Sequence, residues 1–152
     1  MTGLHDHRPI VCVEDSDEDF LAISHALRAA GAGNPIQRCA DGRAAQAALA
    51  SAPGCAWTNA AALILLDLNL PGVNGHDLLT ALRHREGDRR TPVIVLSSSA
   101  LHVDIERCYQ EGANAYLVKP MALEELEDMM AGVVKFWLRL ATPPAPQQRR
   151  AA

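Results

Sequence analysis

Carboxylates, hydroxyls and one lysine fall just after short apolar runs in this chain. Pro9 to Val13 is followed by Glu14, Asp15, Asp17, Glu18 and Asp19, Leu63 to Leu66 by Asp67, Pro92 to Leu96 by Ser97, Ser98 and Ser99, and Ala115 to Val118 by Lys119. A carboxylate can attack phosphorus when nearby groups neutralise the transferring charge and hydrogen-bond its equatorial oxygens. Glu14, Asp15 and Asp67 brought together would repel one another unless a hard divalent cation lay between them, and an all-oxygen donor set favours Mg2+. These parts match phosphoryl transfer to a carboxylate, giving an aspartyl phosphate, with one of the serine hydroxyls and the Lys119 ammonium beside it.

The convergence requires an architecture. With Pro35 to Cys39 as the second, five apolar runs alternate with helical patterns, which predicts an α/β, doubly wound, parallel five-stranded sheet with helices on both faces. In such sheets ligands sit beyond the carboxyl ends of the strands, and the flavodoxin-like order 2-1-3-4-5 flanks strand three with strands one and four. At about 4.8 Å per strand, Lys119 then starts roughly 10 Å from Asp67, a gap its long side chain largely covers.

Phe20, Ile23, Leu27 and Ala30 mark a first helix ended by Gly31 and Gly33, and Gly42 to Ser51 an Ala-rich second ended by Pro53-Gly54, with a surface loop over 55–59. A third helix runs from His76 through Leu78, Leu79 and Leu82 to Gly87, and a fourth from Val103 to Glu111, closed by Gly112. In the last, Leu123, Leu126, Met130, Val133, Trp137 and Leu140 define a buried stripe, leaving Met129, Val134, Phe136 and Leu138 off it. Thr142 to Ala152, with Pro143, Pro144 and Pro146, reads as a flexible or polyproline-like tail.

The bulk properties narrow the partners. The length of 152 residues suits one domain, expected over 9–141 after an extension at 1–8 and before the tail at 142–152. A net charge of -4 gives no general attraction to phosphate backbones or anionic lipid, so no nucleic-acid or membrane partner is expected and a protein partner is. No apolar stretch approaches the roughly 18 residues of a membrane span and no signal segment is visible, so a cytoplasmic location is expected. Cys12, Cys39, Cys55 and Cys108 form no CxxC pair and read as reduced thiols.

Singly, each site residue has an ordinary reading. Glu14 and Asp15 could belong to a solvated helix-capping turn, Asp67 to a loop before Pro-Gly, Lys119 to the surface, and Tyr116 to a half-buried strand. Ser97 competes with Ser98 and Ser99, and its offset from Pro92 favours it. Ser24-His25 superficially matches the phosphoacceptor box of histidine kinases, but His25 reads as a helix-surface residue. His5, His7, His76, His84 and His102 show no metal-binding spacing.

In combination, IVCVEDSDED, LILLDLNLPGVNG, TPVIVLSSS and GANAYLVKP occur in the order found in the receiver domain of two-component response regulators, and residues 9–138 resemble that family. The resemblance implies that Asp15 binds Mg2+ directly and Glu14 through water, that Asp67 accepts the phosphoryl group, and that the Asn69 backbone carbonyl completes the metal ligands. It implies that Ser97 and Lys119 hold phosphate oxygens, that Ser97 and Tyr116 form the switch, and that the Lys119-Pro120 peptide is cis. VEDSDED, LDLNLPGVNG, CYQEGANAYLVKP and FWLRLATPP further resemble the stand-alone regulators of bacterial phytochromes. That likeness implies a sensor histidine kinase of the phytochrome group as partner. It also implies a homodimer through the helix 4 to helix 5 face and C-terminal extension, for which Met129, Val134, Phe136 and Leu138 would supply apolar contacts.

The chain is thus expected to be a phosphoacceptor switch that catalyses only its own phosphorylation and dephosphorylation. An alternative is a phosphorelay intermediate passing phosphate to another histidine protein. An aspartate-nucleophile phosphatase of the haloacid dehalogenase type would want a second Asp where Asn69 stands. A flavodoxin-like binding module would want a phosphate cradle where Glu14 to Asp19 are acidic, and a non-phosphorylated adaptor would leave the filled site without a use.

Overall fold

Unbroken runs of Val, Ile and Leu form strands that can bury both faces, and here they are covered on both sides by helices. In the computed structural model, which describes residues 7–50, 61–84 and 91–144, the strands are β1 (Ile10–Val13), β2 (Ile36–Cys39), β3 (Leu63–Leu66), β4 (Val93–Ser97) and β5 (Ala115–Val118). They alternate with helices α1 (Asp17–Ala29), α2 (Gly42–Ala50), α3 (Gly75–His84), α4 (His102–Gln110) and α5 (Leu123–Val133). The sheet is parallel, in the expected order β2-β1-β3-β4-β5. Val13 pairs with Leu66, Leu66 with Val95 and Val95 with Tyr116, so the carboxyl ends of β1, β3, β4 and β5 finish level.

The two-residue side-chain period divides the core between the faces of the sheet. Val11, Val13, Ile64, Leu66, Val93 and Val95 pack with Leu78, Leu79 and Leu82 of α3 and Cys108 of α4. Ile10, Cys12, Leu63, Leu65, Ile94 and Leu96 pack with Ile23 and Leu27 of α1 and Met130 of α5. Central β1 and β3 are buried at every position, whereas edge strands β2 and β5 are only partly so.

Helix ends follow local chemistry. Ser16 Oγ caps α1 by accepting the Asp19 N–H at 3.2 Å, and Asp17, Glu18 and Asp19 sit at the positive end of its dipole. At the other end of α4, Gly112 adopts φ +102°. The Gly112 N–H then donates to Tyr109 O at 3.1 Å and the Ala113 N–H to Cys108 O at 3.0 Å, the two reversed bonds of a Schellman cap.

The last helix departs from the expected stripe. From Val134 to Leu140 it widens into π-helix, ending in an i→i−5 bond from the Ala141 N–H to Phe136 O at 2.7 Å. The stripe is buried in its middle and open at its ends: Leu126, Met130, Val133 and Val134 face the core, while Leu123 and Leu140 are exposed. Pro53-Gly54, the 55–59 loop, Cys55, Gly87, His5 and the tail beyond 144 lie outside the described residues.

Candidate functional site

Level strand ends bring five of the expected residues to one edge of the sheet. Asp67 directly follows β3 and is 5% exposed; its N–H donates to Val13 O at 3.1 Å, tying it to the end of β1. Asp67 Oδ1 accepts the Asn69 N–H at 2.9 Å, and Oδ2 accepts from Lys119 Nζ at 3.0 Å. Lys119 leaves β5 with its backbone N–H on Ser97 O at 2.8 Å, and Nζ also donates to Glu14 Oε2 at 2.8 Å and Asp19 Oδ2 at 3.0 Å. The oxygens of Glu14, Asp15 and Asp67 lie within 4.8 Å of one another.

Glu14 is buried, and burial together with the neighbouring Asp67 charge pushes its carboxyl up to about 7, although the Lys119 hydrogen bond pulls it down. Burial would lower the Lys119 ammonium, but the hydrogen bond to Glu14 and the charge of Asp67 outweigh it and hold the group above its ordinary range. A buried carboxylate that resists ionisation beside two others leaves the cluster short of positive charge. Its donors are oxygen only, so the residues fit a hard divalent cation.

Three serines after β4 separate cleanly. Ser97 is fully buried, and its Oγ accepts the Ser99 N–H at 3.2 Å. Ser98 Oγ accepts from Asn69 Nδ2 at 3.3 Å, and Ser99 Oγ donates to Asp104 Oδ2 at 2.6 Å at the start of α4. Tyr116 turns inward, its hydroxyl donating to Ser99 O at 2.8 Å. The Tyr116 side chain of β5 is therefore tied to the loop that follows Ser97.

Two expectations need correction. The Lys119–Pro120 peptide is not cis, as none of the described peptide bonds is. The trans bond suffices because the Ser97–Lys119 backbone bond and the reach of the lysine already place Nζ on Asp67. Val134 is 1% exposed and so unavailable as an interface residue; four residues after Met130, it lies on the same buried face of the helix. Met129 and Leu138 are half-buried against that core, while Phe136 is 54% exposed and meets Trp137 edge to face. His25 lies on the α1 surface, as expected, 3.6 Å from Glu127 on α5.

The sequence reading gave no role to Arg38, Asp19 or His76. Arg38 Nε donates to Glu14 O and Nη2 to Asp15 O, both at 3.0 Å, and Nη1 to Asp17 Oδ1 at 2.6 Å, while its guanidinium stacks over Phe20. It was signalled as the only charged residue within the five apolar runs. Asp19 shares Lys119, and only the tertiary fold could reveal that. His76 and Glu111, 35 residues apart, meet through Nδ1 and Oε2 at 2.6 Å.

Gly75 shapes the loop after Asp67: a Cβ there would sit 2.5 Å from Leu68 Cα, so only glycine lets α3 start this close to it.

The response regulator receiver domain family matches residues 10–131. Response regulator Rcp1 of Synechocystis sp. is 34% identical over 136 residues, covering 90% of this chain and 92% of the relative. The probable methanogenesis regulatory protein FilR2 of Methanothrix harundinacea is 33% identical over 137 residues, covering 90% and 88%. The crystal structure of the phosphorylated cyanobacterial phytochrome response regulator RcpA matches with a TM-score of 0.82 at 34% identity, covering 91% of this chain and 99% of that one. The Mn(2+)-bound form of Rcp1 matches with a TM-score of 0.80 at 33% identity, covering 91% and 99%.

Proposed function

The chain belongs to the response regulator receiver domain family, and from that premise we propose that Asp67 takes a phosphoryl group from the phosphohistidine of a sensor histidine kinase. A carboxylate oxygen of Asp67 forms the new O–P bond as the N–P bond to the donor histidine breaks. The observation that carries this reading is the Lys119 ammonium 3.0 Å from Asp67 Oδ2, inside the cluster formed with Glu14 and Asp15.

Glu14, Asp15, Asp67 and the Asn69 carbonyl would hold a divalent cation, which we assign as Mg2+; Glu14 would act through water. When bound, such an ion neutralises charge on the transferring group. The Mn(2+)-bound form of Rcp1 supports the site's use. Lys119, whose donors are engaged by three carboxylates, turns one N–H toward a phosphoryl oxygen. Ser97 releases its contact with Ser99 and donates its hydroxyl to another. That movement pulls on the loop to which Tyr116 is bonded, coupling the site to α4 and β5.

The domain so described catalyses only its own phosphorylation and dephosphorylation and signals through a changed protein surface. We assign its kinase to the bacterial phytochromes, supported by the likeness to the phytochrome response regulator RcpA, and its place accordingly to the cytoplasm. A homodimer over the α4 to α5 face and C-terminal extension is supported by exposed Phe136 and Leu140. The test is transfer of label from an autophosphorylated bacterial phytochrome kinase in Mg2+. We expect stoichiometric labelling that hydroxylamine removes. Label that survives hydroxylamine, or no transfer from histidine kinases or small phosphodonors, contradicts the reading.

A further inference from the structure

Outside the acidic cluster, imidazole, thiol and carboxylate converge between α3 and α4. His76 comes from the first turn of α3, and Cys108 and Glu111 from the last turn and cap of α4. The His76 Nδ1, Cys108 Sγ and Glu111 carboxylate donors lie within 4.8 Å of one another, with Nδ1 2.6 Å from Oε2 and 3.9 Å from Sγ. The His76 and Glu111 side chains are 10% and 16% exposed, and Cys108 is fully buried.

We propose that these three side chains form a second metal site, for a borderline divalent cation of the zinc class, with water as the fourth ligand. Nitrogen, sulfur and oxygen donors in one trio suit Zn2+ and not Mg2+, which takes oxygens and retains its waters. The acidic cluster and this trio therefore select different ions.

Electrostatics favour a cation here. Cys108 and Glu111 stand at the negative end of the α4 dipole. Arg107, half exposed, engages Glu111 Oε1 at 2.7 Å, while Oε2 is directed at His76. A cleft of about 480 Å³, lined by Thr80, Arg83, His84, Gln110 and Asn114, touches the trio at Glu111. The 2.6 Å contact must open to admit an ion bonded at about 2.0–2.2 Å to each of nitrogen and oxygen. Ligation by the Cys108 thiol sends its proton to solvent, so binding tightens as pH rises. A bound ion would clamp α4 to α3 and restrain the helix that carries the Ser99–Asp104 contact.

Co2+ titration of the full chain, in excess Mg2+ and a non-chelating reductant, tests this directly. We expect one equivalent to produce a near-ultraviolet thiolate-to-cobalt charge-transfer band that Zn2+ abolishes and that strengthens with pH. Cys108→Ala should lose the band, His76→Gln should weaken binding by more than about tenfold, and Asp67→Asn should keep both. No band in the wild type, or a band retained in Cys108→Ala or lost in Asp67→Asn, overturns the site and leaves His76–Glu111 as a hydrogen-bonded tie between helices.

Discussion

Lys119 gives its ammonium to Glu14, Asp19 and Asp67, so a single ammonium ties three carboxylates of the acidic pocket together. Glu14 is its weakest point, since folding raises that carboxyl from 4.5 to about 7. A carboxyl raised in the folded state contributes stability that is present below its unfolded value and lost as pH climbs through the folded one. In chelator, the wild type should therefore lose stability between about pH 4.5 and 7 relative to Glu14→Gln, and Mg2+ should return it. Urea melts across that window read the difference; parallel curves for the two proteins would contradict the pocket's charge balance. Thiol chemistry gives a second check. Burial, reinforced by Glu14, pushes Cys12 up to about 12, so alkylation mapped by mass spectrometry at neutral pH should leave Cys12 unmodified in the native state while partly exposed Cys39 reacts.

Among the elements, the strands carried the clearest sequence signal, because burial on both faces leaves nothing but Val, Ile and Leu in β1, β3 and β4 apart from Cys12 and the terminal Ser97. Their order brought Glu14, Asp67, Ser97 and Lys119 together as the motifs implied. What escaped the sequence was long-range or non-periodic. Arg38 props the acidic loop from a neighbouring strand, and Asp19 reaches Lys119 across 100 residues. The last stripe was drawn too narrow: Val134, four residues after Met130, shares its buried face. The wider face is measurable: Val134→Ala should cost roughly 2 kcal/mol of unfolding free energy. Phe136→Ala, at an exposed position, should cost well under 1 kcal/mol, since surface changes usually fall within about 0.5 kcal/mol. Equal losses would place the helix phase wrongly.

At the scale of the molecule, the proposed modification lies at one edge of the sheet, and the exposed apolar side chains are the surface proposed to read it. Leu101, Val103 and Tyr109 of the α4 region, Val118 of β5, and Met121, Leu123, Phe136 and Leu140 of the α5 region leave much apolar surface in water. Sedimentation should show phosphorylation shifting the monomer–dimer balance, with Phe136→Glu favouring monomer; identical profiles for wild type and variant would remove Phe136 from the interface. The central claim concerns Asp67, and intact-mass and peptide-mapping spectrometry after reaction with a small phosphodonor in Mg2+ tests it most directly. One phosphoryl group on Asp67, absent in Asp67→Asn and after chelation, is the predicted result; a group elsewhere, or one retained by Asp67→Asn, would contradict the account.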